Sequence, residues 1–135
     1  MSSFKVFVRH QIGAIASTAL DFAAMIGWVE LGIGTPVGGT AVGATVGALS
    51  NFALGRHWIF AAHDGHVGNQ VFRYALVSLC GLGWNTLGQH LLLKVTGLPY
   101  PVTRTMIAIA IGVVWNYPLQ RWFVFHKPVA PREPA

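Results

Sequence analysis

The sequence is poor in charge, and acidic residues are the scarcest of its charged side chains. Only 10% of the 135 residues are charged, with four Asp or Glu against nine Lys or Arg, and 53% are hydrophobic. The mean hydropathy is +0.54. A soluble domain usually carries roughly 25% charged residues. So few charges cannot cover a water-facing surface, and the composition therefore predicts a membrane protein.

Cysteine and the common catalytic motifs are also scarce. The single cysteine, Cys80, excludes an internal disulfide framework. The sequence shows no paired acids at one site, no nucleophile beside a base and no glycine-rich loop between a strand and a helix. We therefore expect no enzyme activity, no cofactor and no metal site. The net charge of +5 flanks apolar segments instead of forming a stripe, so we expect no nucleic-acid partner.

Four apolar stretches are long enough to cross a bilayer, whose hydrocarbon core of about 30 Å needs about 20 helical residues. They predict an all-α membrane protein with four transmembrane helices, built as two tandem helical hairpins. The predicted spans are residues 12–33, 38–58, 74–93 and 105–123. They form a transmembrane domain, 12–125, between a cytoplasmic N-terminal segment, 1–11, and a disordered cytoplasmic tail, 126–135.

The basic residues are shared unequally between the two ends of these spans. Lys94 and Arg104 lie at one end, and seven basic residues lie at the other. The seven are Lys5, Arg9, Arg56, Arg73, Arg121, Lys127 and Arg132. Cytoplasmic loops carry the excess of Lys and Arg. Both termini are therefore predicted to be cytoplasmic, with the protein in the inner cell membrane.

The second and fourth spans end in nearly the same sequence. Residues Asn51–Phe60 and Asn116–Phe125 share Asn, an aromatic residue, Leu, Arg and a closing Phe at a shift of 65 residues. At a shift of 64, Arg9 falls on Arg73. The chain is therefore predicted to contain two copies of one hairpin, related by a pseudo-two-fold axis along the membrane normal.

Each span places a small residue four positions before a polar one, and residues four apart share a helix face. The pairs are Ser17 with Asp21, Gly47 with Asn51, Gly81 with Asn85, and Gly112 with Asn116. In lipid, small residues let helices approach, and Asp or Asn hydrogen-bonds between them. We predict that these faces converge on one polar layer inside the bundle, which consists of Asp21, Asn51, Asn85, Gln89 and Asn116.

Arg56 and Arg121 occupy the same repeat position, at the depth of cytoplasmic lipid phosphates. A guanidinium can hold a phosphate by two parallel hydrogen bonds. We predict that this pair binds a lipid phosphate and that Arg9 and Arg73 form a second, weaker pair. Anchoring of the helix ends by snorkelling arginines is the alternative interpretation.

Pro118 interrupts the fourth span. It removes a backbone donor and should leave the carbonyl of Val114 without its α-helical partner. A kink is predicted there, with packing against other helices as compensation.

The twin endings resemble those of the GtrA-like family of small four-span membrane proteins. Thr18-Ala19-Leu20-Asp21 in the first span and Phe72-Arg73-Tyr74 before the third carry the same likeness, which covers about residues 7–125. The resemblance implies a role with lipid-linked sugars: either translocation of a polyprenyl-phosphate-linked monosaccharide across the membrane for surface-polysaccharide synthesis or modification, or assistance to its glycosyltransferase. In the translocator hypothesis, which the symmetric arginine and asparagine positions also motivate, the arginines hold the lipid phosphate and the polar layer passes the sugar.

Three functions stay open. The favoured one is the translocator; the second is a non-transporting membrane subunit that positions a glycosyltransferase through its small-residue faces. The third is a proton-coupled exporter of small cations, in which Asp21 would carry the proton. An acid at mid-bilayer costs on the order of 3 kcal/mol, and such a cost is rarely kept without a function. Four spans enclose little volume, so a homodimer within the membrane lipid is expected, with the face of Gly39, Gly43 and Gly47 as one possible seam.

Overall fold

A computed structural model describes residues 2–126, so the predicted disordered tail lies outside the described residues from position 127 onward. The described residues form helices and no strands, which confirms the all-α prediction. The chain divides into two compact units after His63. We call residues 2–63 the first hairpin and residues 64–126 the second hairpin.

The first hairpin consists of α1, Ser3–Glu30, and α2, Pro36–Leu54, which continues as a five-residue π-helix, π1, over Gly55–Ile59. Thr35 is the N-cap of α2, and its hydroxyl accepts a hydrogen bond from the amide of Gly38 at 3.2 Å. A threonine cap followed by proline at the first helical position is a typical helix start. α2 therefore begins in the gap between the predicted spans 12–33 and 38–58.

Glycines on α2 allow it to lie directly on α1. A Cβ atom on Gly43 would lie 2.5 Å from the backbone oxygen of Asp21, and one on Gly39 would lie 3.2 Å from that of Met25. Gly39, Gly43 and Gly47 are all buried in this contact. The prediction that their face is a seam between two copies of the chain is wrong, because α1 covers it within the hairpin. A homodimer through another surface stays a prediction.

The second hairpin has one long helix followed by a helical rod of changing pitch. The long helix is α3, Val67–Thr96, which begins after a capping His66 and ends at Gly97 in the left-handed conformation, with φ of 63°. The rod consists of α4, Tyr100–Ile111; π2, Gly112–Asn116; α5, Tyr117–Leu119; and π3, Gln120–Val124.

The sequence repeat is also a repeat of backbone conformation. The π-helices Gly55–Ile59 and Gln120–Val124 occupy positions that correspond at the shift of 65 residues. Helices of this pitch are rare and occur mostly as single turns, often at functional sites. Both hairpins thus end in the same unusual turn.

The further π-helix, π2, ends at Asn116, two residues before Pro118. Proline has no amide hydrogen for an α-helical bond to Val114. The backbone changes its hydrogen bonding at this point, since the amide of Tyr117 donates to the carbonyl of Gly112, five residues earlier. The irregularity predicted around Pro118 is present as a widened turn.

Three helical stretches of the described residues are long and apolar enough to cross a membrane: Ser3–Glu30, Val37–Ile59 and Pro101–Val124. The 30-residue α3 is not among them, because Asn85, Gln89 and His90 lower its hydropathy. A fourth span, the cytoplasmic placement of the termini and the limits of the transmembrane domain stay predictions.

Candidate functional site

Asp21 lies on the glycine face of α2. Its Oδ1 atom is 2.6 Å from the position that a Cβ would take on Gly43, and its own Cβ is 2.9 Å from the corresponding position on Gly47. Ser17, one turn earlier, is buried, and its backbone oxygen lies 3.3 Å from the Cβ position of Gly47. The small and polar faces of α1 and α2 therefore converge within the first hairpin, as the spacing of four predicts.

Gly81 is the corresponding meeting point in the second hairpin. The side-chain amide of Asn85 donates to the carbonyl of Gly81 at 2.8 Å. The Oδ1 atom of Asn116 lies 3.1 Å from the position that a Cβ would take on Gly81. Both Asn85 and Asn116 therefore lie near Gly81, the first through its own helix and the second from the facing one. Asn51 is half-buried near the end of α2, and one polar layer shared by both hairpins stays a prediction.

Arg9 and Arg73 make the same contacts in the two hairpins. Nη1 of Arg9 donates to the carbonyl of Trp58 at 3.3 Å, and Nη1 of Arg73 donates to that of Phe123 at 3.0 Å. Each guanidinium also lies over the ring of the same aromatic residue, 5.4 Å and 5.1 Å from the ring centres. A cation near the last carbonyls of a helix is electrostatically favourable. Each arginine therefore fastens the first helix of its hairpin to the terminal π-helix.

The repeat predicts that Arg9 and Arg73 bind a phosphate, but it does not predict their contacts with the terminal π-helices. The sequence does contain a signal for these contacts, because both partners recur: the arginine at a shift of 64 residues and the aromatic residue at a shift of 65. What the sequence could not give was the proximity of residues that are about 50 positions apart in the chain.

Arg56 and Arg121 share a repeat position but differ in their surroundings. Arg56 is 9% exposed, and its Nη2 atom donates to the carbonyl of His63 at 2.6 Å. Arg121 donates from Nη1 to the hydroxyl of Tyr117 at 2.8 Å and lies 5.1 Å over the ring of Trp122. Phosphate binding by the four arginines stays a prediction.

A cleft of about 390 Å³ opens in the second hairpin between α3 and α4. This volume falls within the ~300–1,000 Å³ of typical small-molecule sites. The lining residues of α3 follow the first of them by three, four and seven positions, which places them on one face of that helix. The opposite wall is one face of α4. The lining residues are Leu82, Asn85, Thr86, Gln89, Arg104, Ile107 and Ala108.

The cleft contains part of the predicted polar layer and adds residues that the prediction lacked. Asn85 and Gln89 line it, whereas Asp21, Asn51 and Asn116 do not. The amide nitrogen of Gln89 donates to the hydroxyl of the fully buried Thr103 at 2.8 Å. This bond joins α3 to the first turn of α4 next to the cleft.

Two lining residues, Thr86 and Arg104, were not predicted as site residues. In the sequence, Arg104 contributes only to the prediction of which side of the membrane each loop lies on. Its position three and four residues before the lining Ile107 and Ala108 places it on one face of α4 with them. Within residues 2–126, no group of three or more His, Cys, Asp or Glu side chains could hold a metal ion.

The duplicated hairpins, the long apolar helices and the polar residues between them define a small multi-pass helical membrane protein. The family model of the GtrA/DPMS transmembrane domain matches residues 11–125. The chain belongs to this family, which confirms the resemblance noted in its sequence. Membership indicates involvement with polyprenyl-linked sugars at the membrane. No curated protein and no solved structure matches the chain.

Proposed function

We propose that the protein translocates a polyprenyl-phosphate-linked monosaccharide across the inner cell membrane, for use in surface-polysaccharide synthesis or modification. No covalent bond changes in this process. The lipid tail stays in the hydrocarbon while the phosphate and the sugar follow a polar path. Membership of the GtrA/DPMS family supports the class of ligand.

The observation that carries the proposal is the pair of arginines at the π-helical end of each hairpin. Arg56 and Arg121 lie on the terminal turns, and Arg9 and Arg73 lie against those turns. Arginine has five N–H donors in a planar fork that suits phosphate. One bond to a backbone carbonyl orients the fork of Arg73, whose side chain is exposed. Each hairpin therefore has, at its π-helical end, a cationic group suited to a lipid phosphate.

The polar side chains beyond the arginines support a path for the sugar. In the first hairpin Asp21 lies on the glycine face of α2, and in the second Asn85 and Asn116 each lie near Gly81. Polar groups in a membrane-spanning segment are costly and mark ligand pathways. They would exchange hydrogen bonds with the sugar hydroxyls as the headgroup passes.

The proposal is tested by sidedness exchange in reconstituted vesicles. Vesicles with a labelled polyprenyl-phosphate sugar in one leaflet should show exchange that depends on the full-length protein. The double variant Arg56→Gln and Arg121→Gln should slow exchange at least about tenfold, because charge-assisted hydrogen bonds are worth about 1.5–3 kcal/mol each. Lys5→Gln is the matched control. It removes an exposed cation near the start of α1 and should leave the rate unchanged.

Folding of each variant is checked by its helical circular dichroism and its elution as a single species. Arg56→Lys is included because Arg56 is buried and its loss could affect folding. Absence of exchange by the folded wild-type protein would contradict the proposal. Lipid binding without exchange would instead fit a subunit that positions a glycosyltransferase, and proton-driven cation uptake that depends on Asp21 would fit an exporter.

A further inference from the structure

The two hairpins are copies in sequence, but they differ in how closely their helices pack. At the shift of 65 residues, Gly39 and Gly43 of α2 correspond to Arg104 and Ala108 of α4. In the first hairpin both positions lie against the backbone of α1 and are buried. In the second hairpin both are exposed and line the cleft. The position that the first hairpin closes with glycine is therefore open in the second.

The next turn shows the same difference between the two hairpins. Gly112 corresponds to Gly47, yet a Cβ on Gly112 would meet nothing within 4 Å. Trp115 stands close by: its indole nitrogen donates to the carbonyl of Val77 at 3.1 Å, and its ring lies 3.5 Å from the Cβ position of Gly81. A large ring between helices holds them further apart than small residues do. Here the ring of Trp115 packs against α3 up to two turns before the residues that line the cleft.

The chemistry of the lining is specific. Arg104 is the one cation of the seven lining residues, and none of the seven is acidic. Asn85, Thr86 and Gln89 supply hydroxyl and amide groups that both donate and accept hydrogen bonds. Leu82 and the face of Ile107 supply apolar surface, which suits the non-polar face of a pyranose ring. A cation beside neutral donors and acceptors matches a ligand with one anionic group and several hydroxyls.

We propose that the cleft between α3 and α4 is a binding site for a glycosyl phosphate, with Arg104 on the phosphate and Asn85, Thr86 and Gln89 on the sugar. The inference rests on the proposed function for the lipid attached to that phosphate. Arg104 precedes Arg121 by 17 residues, which is roughly 25 Å of helix. The cleft is therefore a second headgroup site, far along the rod from the π-helical arginines, and only the second hairpin provides it.

The first test measures binding to the full-length protein in nanodiscs. The probes are a short-chain polyprenyl-phosphate sugar, the same lipid phosphate without sugar, and a water-soluble sugar 1-phosphate. Arg104→Gln should weaken binding of the lipid-linked sugar about tenfold or more, because it removes the phosphate contact. Lys94→Gln, an exposed cation outside the cleft, is the matched control and should bind as the wild type does.

A second variant pair tests the cleft without changing charge. Ala108→Leu fills the cleft from α4 and should lower binding at least as far as Arg104→Gln does, leaving only the binding by the π-helical arginines. Ala110→Leu places the same side chain at an exposed position that does not line the cleft, and should bind as the wild type does. Leucine is a good helix former, so both variants should fold. Unchanged binding by Arg104→Gln and Ala108→Leu would overturn the inference.

The three probes separate the sources of the ligand. Equal binding of the soluble sugar phosphate and the lipid-linked sugar would support a glycosyl phosphate as the ligand. It would also show that the cleft does not need the lipid and can take the ligand from water. Equal binding of the lipid phosphate without sugar would overturn the role of Asn85, Thr86 and Gln89. Cleft-dependent binding by a protein that shows no sidedness exchange would leave the inference standing while the translocator fails. Exchange that persists in both cleft variants, with normal binding, would leave the translocator standing while the inference fails.

Discussion

Single residues set the spacing of the helices in the first hairpin. A Cβ atom on Gly43 would lie 2.5 Å from a backbone oxygen of α1, and backbone cannot rotate away as a flexible side chain can. A glycine at this position is therefore required by packing. Gly27 in α1 offers a contrast, because a Cβ there would meet nothing within 4 Å.

We expect Gly43→Ala to destabilise the protein by roughly 1–3 kcal/mol, the usual cost of overpacking. Gly27→Ala should be neutral or stabilising by up to about 1 kcal/mol, since alanine favours the helix. Reversible unfolding of both variants in mixed micelles, followed by circular dichroism, gives the two values. Equal stabilities of the two variants would show that α1 and α2 do not approach closely at Gly43.

The arginines show how far residue patterns can predict roles. The repeat predicts that Arg9 pairs with Arg73 and Arg56 with Arg121, and the contacts of Arg9 and Arg73 do repeat. It does not predict that Arg56 is buried against the carbonyl of His63 while Arg121 lies over an aromatic ring. Repeat position fixes depth along the helix, but the neighbours that surround a guanidinium come from the rest of the hairpin.

The pitch of the helical elements has two separate origins. The terminal π-helices Gly55–Ile59 and Gln120–Val124 recur in both hairpins, although the first has Ala53 where the second has Pro118. The π-helix Gly112–Asn116 occurs only in the second hairpin among the described residues, and it ends two residues before that proline. The terminal turns therefore belong to the repeated motif, and the additional one belongs to Pro118.

Pro118→Ala should convert Gly112–Asn116 to α-helix, because residue 118 regains an amide hydrogen for the carbonyl of Val114. The terminal π-helix Gln120–Val124 should remain. Backbone chemical shifts and amide exchange of labelled protein in micelles would report the two segments separately. Loss of both π-helices in the variant would contradict separate origins.

For the molecule as a whole, the number of times the chain crosses the membrane depends on whether α3 is a transmembrane helix. Polar residues lower its hydropathy, but Asn85 and Gln89 lie on the face that lines the cleft. A helix of 30 residues is long enough to cross the hydrocarbon. We therefore propose that α3 spans the membrane with its polar face towards α4 and its apolar side chains towards lipid.

Single cysteines test this topology, because Cys80 can be replaced to give a cysteine-free chain. In a Cys80→Ser background, Asp64→Cys should react with an impermeant thiol reagent from the cytoplasmic side and Leu98→Cys from the opposite side. Both positions are exposed and flank α3. Labelling of both from the same side would exclude α3 as a span.

Hydropathy, helical spacing and a repeat are properties of the linear chain, and they were enough to predict the all-helical class, the two tandem hairpins, the membrane location and the family. They also predicted that Ser17 and Asp21 share one face of α1, since residues four apart must do so, and that face does lie against the glycines of α2. The packing of the helices was needed to show that the glycines of α2 close the first hairpin while Arg104 and Ala108 line an open cleft in the second. That difference depends on contacts between residues far apart in the chain, which no local pattern encodes.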